Sequence, residues 1–171
     1  ARTISIAEPW HYYGYKDGFK FKGVNILKGL DSPGEYYIDR EAGVLYWYPP
    51  VDYAPGDEVT ISVFSSEFML EVSGCEGVTV QGLTFIGGRT NAVSVEGSRN
   101  ILLDGIGAFR FGGDALHVSS SENVRIEGCR FGTLGHTGMK LSGGDRRTLS
   151  PSGYVVRNTI VQHISLFPHT Y

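Results

Sequence analysis

No excess of positive charge runs through this sequence: 15 Lys and Arg stand against 18 Asp and Glu, a formal charge of −3. A nucleic-acid backbone therefore finds no basic stripe to bind, and no nucleic-acid partner is expected. No apolar run approaches the roughly 20 residues that a membrane-spanning helix needs, so no membrane partner is expected either. Cysteine is nearly absent, with Cys75 and Cys129 alone. They fall at unlike positions of the pattern described below, and a disulfide needs Cα atoms within about 7 Å. Two buried free thiols are the expectation. No Cys/His spacing suits zinc and no dense Asp/Glu cluster suits calcium, so no metal and no cofactor is expected. Apolar residues spaced three and four apart are also lacking, which leaves little for helices. Val24 to Leu30 is the best short candidate.

What the chain has is glycine, 24 residues of it, and a period. Val78-Thr79-Val80-Gln81-Gly82-Leu83 aligns with Ile101-Leu102-Leu103-Asp104-Gly105-Ile106 and with Val124-Arg125-Ile126-Glu127-Gly128-Cys129, a step of 23 each time. Val93 and Val95, Leu116 and Val118, Met139 and Leu141 keep the same step. Each unit reads as two short alternating runs separated by turn residues. A unit so short cannot bury a core alone, so successive units must stack. The fold expected is all-β: a right-handed parallel β-helix of three to four rungs, since parallel crossovers are nearly always right-handed. Five apolar columns point inward: Val78/Ile101/Val124, Val80/Leu103/Ile126, Leu83/Ile106/Cys129, Val93/Leu116/Met139 and Val95/Val118/Leu141. Gly82/Gly105/Gly128 marks a bend that needs positive φ.

Residues 1–67 differ. Trp10, Tyr12, Tyr13, Tyr15, Phe19, Phe21, Tyr36, Tyr37, Tyr46, Trp47 and Tyr48 crowd there, and most should form the core of an N-terminal subdomain. Glu35–Asp39 and Val44–Tyr48, around a loop ending in Gly43, read as a hairpin. Glu58–Val63 reads as a strand leading into the repeats, which fill residues 68–171. After Leu141 a long loop intervenes, and Val155–Ile160 resumes the pattern about nine residues late. Such insertions commonly shape a solenoid's binding surface. The first residues do not read as a signal peptide, and Thr3-Ile4-Ser5-Ile6 reads as though entered mid-protein. At the other end the open sheets suggest a fragment of a longer chain, or self-association.

The segment Asn25 to Arg40, with Gly29-Leu30-Asp31-Ser32-Pro33-Gly34-Glu35-Tyr36-Tyr37-Ile38-Asp39 at its heart, and Gly43-Val44-Leu45-Tyr46-Trp47-Tyr48-Pro49-Pro50 after it, resembles the stretch preceding the helix in bacterial β-helix proteins of the pectin-lyase-like fold. Gly143-Gly144-Asp145-Arg146-Arg147-Thr148-Leu149 looks like a second hallmark of that group. The resemblance implies a carbohydrate-active enzyme, a polysaccharide or oligosaccharide as partner, and a secreted or periplasmic location.

Outward columns are where a sugar chain would lie: Asn91/Asp114/Thr137, Ser94/His117/Lys140 and Thr90/Gly113/His136. Glycoside hydrolysis needs two carboxyl groups, and Asp114 and Asp145 are the candidates, with His117, His136, Lys140 and Arg146 as substrate contacts. Gly112-Gly113-Asp114-Ala115 and Gly135-His136-Thr137-Gly138 are faintly similar to a polygalacturonase pattern, but Ala115 stands where that pattern has a second Asp. The alternative chemistry is β-elimination, with Lys140 as base and Arg146 or Arg147 on a uronate carboxylate. The alternative without chemistry is a glycan-binding module. His163, His169 and Tyr171 would join a cleft only in a longer protein, and Arg99 with Glu122 should form an exposed ion pair.

Overall fold

In the computed structural model the described residues are 23–64 and 66–167, with Ser5, Ala7, Glu8, Gly14 and Gly18. Trp10, Tyr12, Tyr13, Tyr15, Phe19, Phe21, His169 and Tyr171 lie outside them. Two compact units are present, divided between Val59 and Thr60.

In the first unit β1 (Tyr36–Asp39) and β2 (Val44–Trp47) form the antiparallel hairpin, Tyr36 opposite Trp47 and Asp39 opposite Val44. Gly43 turns the chain at φ 67°. The Asn25 side chain clasps β1 at Ile38, donating to its carbonyl and accepting its N–H. Val24–Leu30 contains only a 3-10 turn, Leu27–Gly29. The expected aromatic core does not form among the described residues. Of the aromatics there, Tyr36, Tyr46 and Tyr48 are exposed, while Tyr37 and Trp47 are half-buried. Trp47 meets Tyr53 edge-on at 4.9 Å.

The second unit is a right-handed parallel β-solenoid with three strands per coil. The first coil comprises β3 (Phe68–Ser73), β4 (Thr79–Gln81) and β5 (Thr84–Gly88). The next has β6 (Asn91–Glu96), β7 (Arg99–Asp104) and β8 (Gly107–Phe111); then come β9 (Leu116–Ser119), β10 (Glu122–Glu127) and β11 (Arg130–Leu134). Last are β12 (Met139–Ser142), β13 (Val155–Arg157) and β14 (Ile160–Gln162). Equivalent strands stack into three parallel four-stranded sheets, the first being β3-β6-β9-β12. Ile101 pairs with Val124 and Leu103 with Ile126, the step of 23 read from the sequence.

The inward columns are filled as their apolar spacing dictates. Val93, Val95, Ile101, Leu103, Ile106, Leu116, Val118, Val124, Ile126 and Cys129 are all buried. Columns lose cover at the outermost strands, where Leu83 is 46% exposed and Leu141 39%. Both cysteines are free thiols, Cys129 buried and Cys75 half-buried. Burial pushes the Cys129 thiol up, as expected of a thiolate denied water.

Three expectations need correction. Each coil has a third strand, β5, β8, β11 or β14, that two alternating runs per unit did not reveal. Its inward columns mix sizes, Phe85/Ala108/Phe131 and Gly88/Phe111/Leu134, so a small residue lies beside a ring in the neighbouring coil. The Phe111 ring occupies the space a Cβ on Gly88 would need. Glu58–Val63 is no strand; Val59, Ile61 and Val63 are exposed, and Ser62 fastens the segment by donating to the Gly87 carbonyl. After the insertion Arg125 pairs with Val155 and Arg130 with Ile160, an offset of 30, so the pattern resumes seven residues late rather than nine.

Left-handed backbone marks the corners. Gly82, Gly105 and Gly128 have φ 66°, 62° and 62°, and Asn158 continues their column at 49°. Among the described residues no helix is long and apolar enough to cross a membrane.

Candidate functional site

The turn between β8 and β9 builds the site. Gly112 and Gly113 press against the previous coil, where a Cβ would strike the Arg89 carbonyl and the Asn91 side chain. This close approach delivers the Asp114 N–H to Asn91 Oδ1 at 2.8 Å. One coil on the arrangement repeats: Asp114 Oδ1 accepts the Thr137 N–H at 2.6 Å and the Thr137 hydroxyl at 2.8 Å. Asn91 and Asp114 thus form a ladder in which each side chain receives the backbone N–H of the next coil, and Thr137 adds its hydroxyl as a second donor to Asp114. Asp114 does not face water as expected; it is 2% exposed.

Its other oxygen, Oδ2, receives His117 Nε2 at 2.7 Å and Lys140 Nζ at 2.6 Å. His117 and Lys140 are register partners on neighbouring strands, so one carboxylate holds both from beneath. The rings of Phe68 and His117 meet edge to face, their centroids 5.1 Å apart. Burial by itself would raise the Asp114 carboxyl, but donors on Lys140, His117 and Thr137 outweigh it and hold the group well below the usual carboxylate range. Asp114 is thereby favoured as the anion that holds Lys140 and His117. Lys140, ion-paired but 55% exposed, and His117, one quarter exposed, face the solvent as an oriented pair. With Ser94 and Glu71 they form one outward column across the first sheet.

The remaining candidates are not brought to this corner. Asp145 sits in the insertion, past the far end of β12, where its Oδ1 accepts the Arg147 N–H at 2.8 Å. That bond, with the Thr148 hydroxyl, lowers its pKa. The four residues of β12 lie between it and Thr137, about 13 Å of extended chain. Paired carboxylates of glycosidases stand roughly 5 to 9.5 Å apart, so Asp114 and Asp145 do not form such a pair. Arg146 is exposed in the same loop, and His136 is exposed on its turn, its N–H donating to the Gly113 carbonyl at 3.2 Å. His163 continues the left-handed column Gly87/Arg110/Thr133, with φ 51°. Ala115 is fully buried, so the position of the second Asp in the polygalacturonase pattern points into the core.

A second ladder escaped the sequence reading. Cys75 N–H donates to Ser98 Oγ, Ser98 N–H to Ser121 Oγ, and Ser121 N–H to the Tyr154 hydroxyl. The serines recur 23 apart, a signal that was present, whereas Tyr154 arrives from the insertion and carries none. Arg99 and Glu122 form the exposed ion pair expected, at 3.2 Å. Among the described residues no group of three or more His, Cys, Asp or Glu is disposed to hold a metal.

Residues 53–164 match the family model described as right handed beta helix region. No curated protein and no solved structure matches the chain.

Proposed function

The chain belongs to the right-handed β-helix region family, and from that premise we propose that its solenoid is a polysaccharide-binding module, the sugar chain lying across the outer face of the first sheet. The observation that carries the reading is the buried Asp114 carboxylate holding Lys140 and His117 toward solvent. Two donors fixed in advance lose little freedom on meeting sugar oxygens, and cost little to desolvate because their counter-charge is already in place. Repeating polar positions about 4.8 Å apart suit successive contacts to an extended polymer. Asp114 is in this reading a positioning residue.

A catalytic variant has one observation in its favour. His117 Nε2 is engaged by Asp114, an arrangement that orients the ring and leaves Nδ1 as the proton acceptor. Over a uronate, His117 would take the proton beside the carboxyl group, the bond from the next carbon to the glycosidic oxygen would break, a double bond would form between the two carbons, and the departing oxygen would take a proton from solvent. Lys140 would balance the charge of the enolate.

Both readings are tested by mixing the chain with neutral and acidic plant and algal polysaccharides. Retention on polysaccharide-containing gels is measured beside reducing ends and the ultraviolet absorbance of unsaturated products. Binding without products is expected, weakened about 10- to 150-fold by Lys140→Ala, as for loss of a charged hydrogen bond. Unsaturated products abolished by His117→Ala would establish the lyase variant instead, and retention by no polysaccharide would refute the proposal.

A further inference from the structure

At the corner between the first and second sheets two cavities of about 250 and 480 Å³ lie end to end, sharing Ser120 and Glu122 as lining. Together they make a trough parallel to the solenoid axis. Its floor is low because Gly74, Gly97 and Ser120 turn the chain there with φ 61°, 55° and 50°. A Cβ on Gly74 or Gly97 would meet nothing within 4 Å, so open space rather than packing lies above them. One wall is a charged column. Glu76 is the backbone register partner of Arg99, Arg99 that of Glu122, and Asp145 follows at the end lined by the insertion.

The insertion makes that end firm. Asp145 and Ser150 exchange both backbone hydrogen bonds, at 2.9 and 3.0 Å, and Ser152 accepts the Asn123 N–H. The Tyr154 hydroxyl ties the loop to the stack by accepting the Ser121 N–H and donating to the Ser142 carbonyl. A trough preformed in this way needs no rearrangement to receive a ligand.

We infer that this trough is a second carbohydrate subsite and that it takes a neutral, hydroxyl-rich sugar chain. The inference rests on the reading of the solenoid as polysaccharide-binding and assigns a different face from the Lys140 corner. Repeating walls about 4.8 Å apart fit a linear polymer rather than a compact ligand. Among the residues lining the trough, Glu76, Glu122 and Asp145 set three carboxylates against the guanidinium of Arg99, whose Nε already serves Glu122. Carboxylates accept hydrogen bonds from vicinal hydroxyls, and the same excess of negative charge repels a polyuronate.

The test is amide-resolved titration of the full nitrogen-15-labelled chain with cellohexaose, xylohexaose and mannohexaose, and with hexagalacturonate as acidic counter-probe. At least one neutral hexasaccharide should move the Gly97, Ser120 and Gly143 resonances. The paired substitutions Glu122→Gln and Asp145→Asn should weaken that response about tenfold, since Gln and Asn keep an acceptor oxygen and remove only the charge that strengthens each hydrogen bond. Asp145→Asn keeps the oxygen that the Arg147 N–H needs, so a dispersed spectrum is expected, and Arg130→Gln on the third sheet serves as control. Shifts confined to His117 and Lys140 would overturn the trough while leaving the sheet-face reading in place. Shifts in the trough alone would support it and remove the sheet-face reading. An absence of shifts with every sugar would overturn both.

Discussion

Replacing Asp114 probes the site and the fold together. The carboxylate accepts four hydrogen bonds, two from Thr137 and one each from His117 and Lys140. In Asp114→Ala the Thr137 N–H loses its acceptor, a cost of about 1–3 kcal/mol for a group shielded from water. Lys140 is more than half exposed and regains hydration, so the full penalty of about 3–5 kcal/mol for breaking a buried pair is not reached. A net loss of about 3 kcal/mol follows, or about 6–12 °C in Tm for a chain of this size. Asp114→Asn keeps an acceptor for Thr137 and loses only charge assistance, about 1–2 kcal/mol. The acid limb separates charge from shape. Because the folded-state pKa of Asp114 is depressed, its stabilisation is complete above the ordinary carboxylate range and is lost as pH falls through that range toward the folded value. The advantage of the wild-type chain over Asp114→Asn should therefore shrink in acid. Thermal melts followed by far-ultraviolet circular dichroism from neutral to acid pH measure both effects. A Tm for Asp114→Ala within about 1 °C of wild type, or an Asn gap that does not change with pH, would refute the reasoning.

Leu103→Asp should leave no cooperative melt, because Leu103 is 1% exposed and an aspartate there has no partner; Arg99→Ala should shift the midpoint by no more than about 0.5 kcal/mol, its pair with Glu122 being largely in water. Gly128→Ala should cost about 1–2 kcal/mol for a left-handed backbone, and Gly128→Asn distinctly less, since Asn158 adopts that conformation in the same column; urea midpoints decide between them. Tyr154→Phe removes the acceptor of the Ser121 N–H and should cost about 1–3 kcal/mol, with faster hydrogen exchange at Ser121.

The stack itself was legible because identical chemistry recurs at one spacing: Ile101 predicts Val124, and Gly105 predicts Gly128. The third strand was harder to see, since Phe85, Ala108 and Phe131 share a column by complementing one another's volume rather than repeating it. For the site, register alone brought His117 and Lys140 side by side, as the columns indicated. The burial of Asp114 was not legible. A polar residue at an alternating position looks solvent-facing until the backbone N–H one coil away claims its oxygen, and that claim depends on Gly112 and Gly113 letting two coils approach. Asp145 misled for a related reason. Counting along the chain puts it near the other candidates, but β12 stands between it and Thr137, the partner of Asp114.

The seven extra residues between β12 and β13 leave and rejoin the solenoid without disturbing the pairing on either side, since Met139 still meets Leu116 and Val155 still meets Arg125. That corner is thus a seam where length is decoupled from register. Loops of other sizes and chemistries could be spliced there and the molecular surface rewritten, with the periodic interior left as it is.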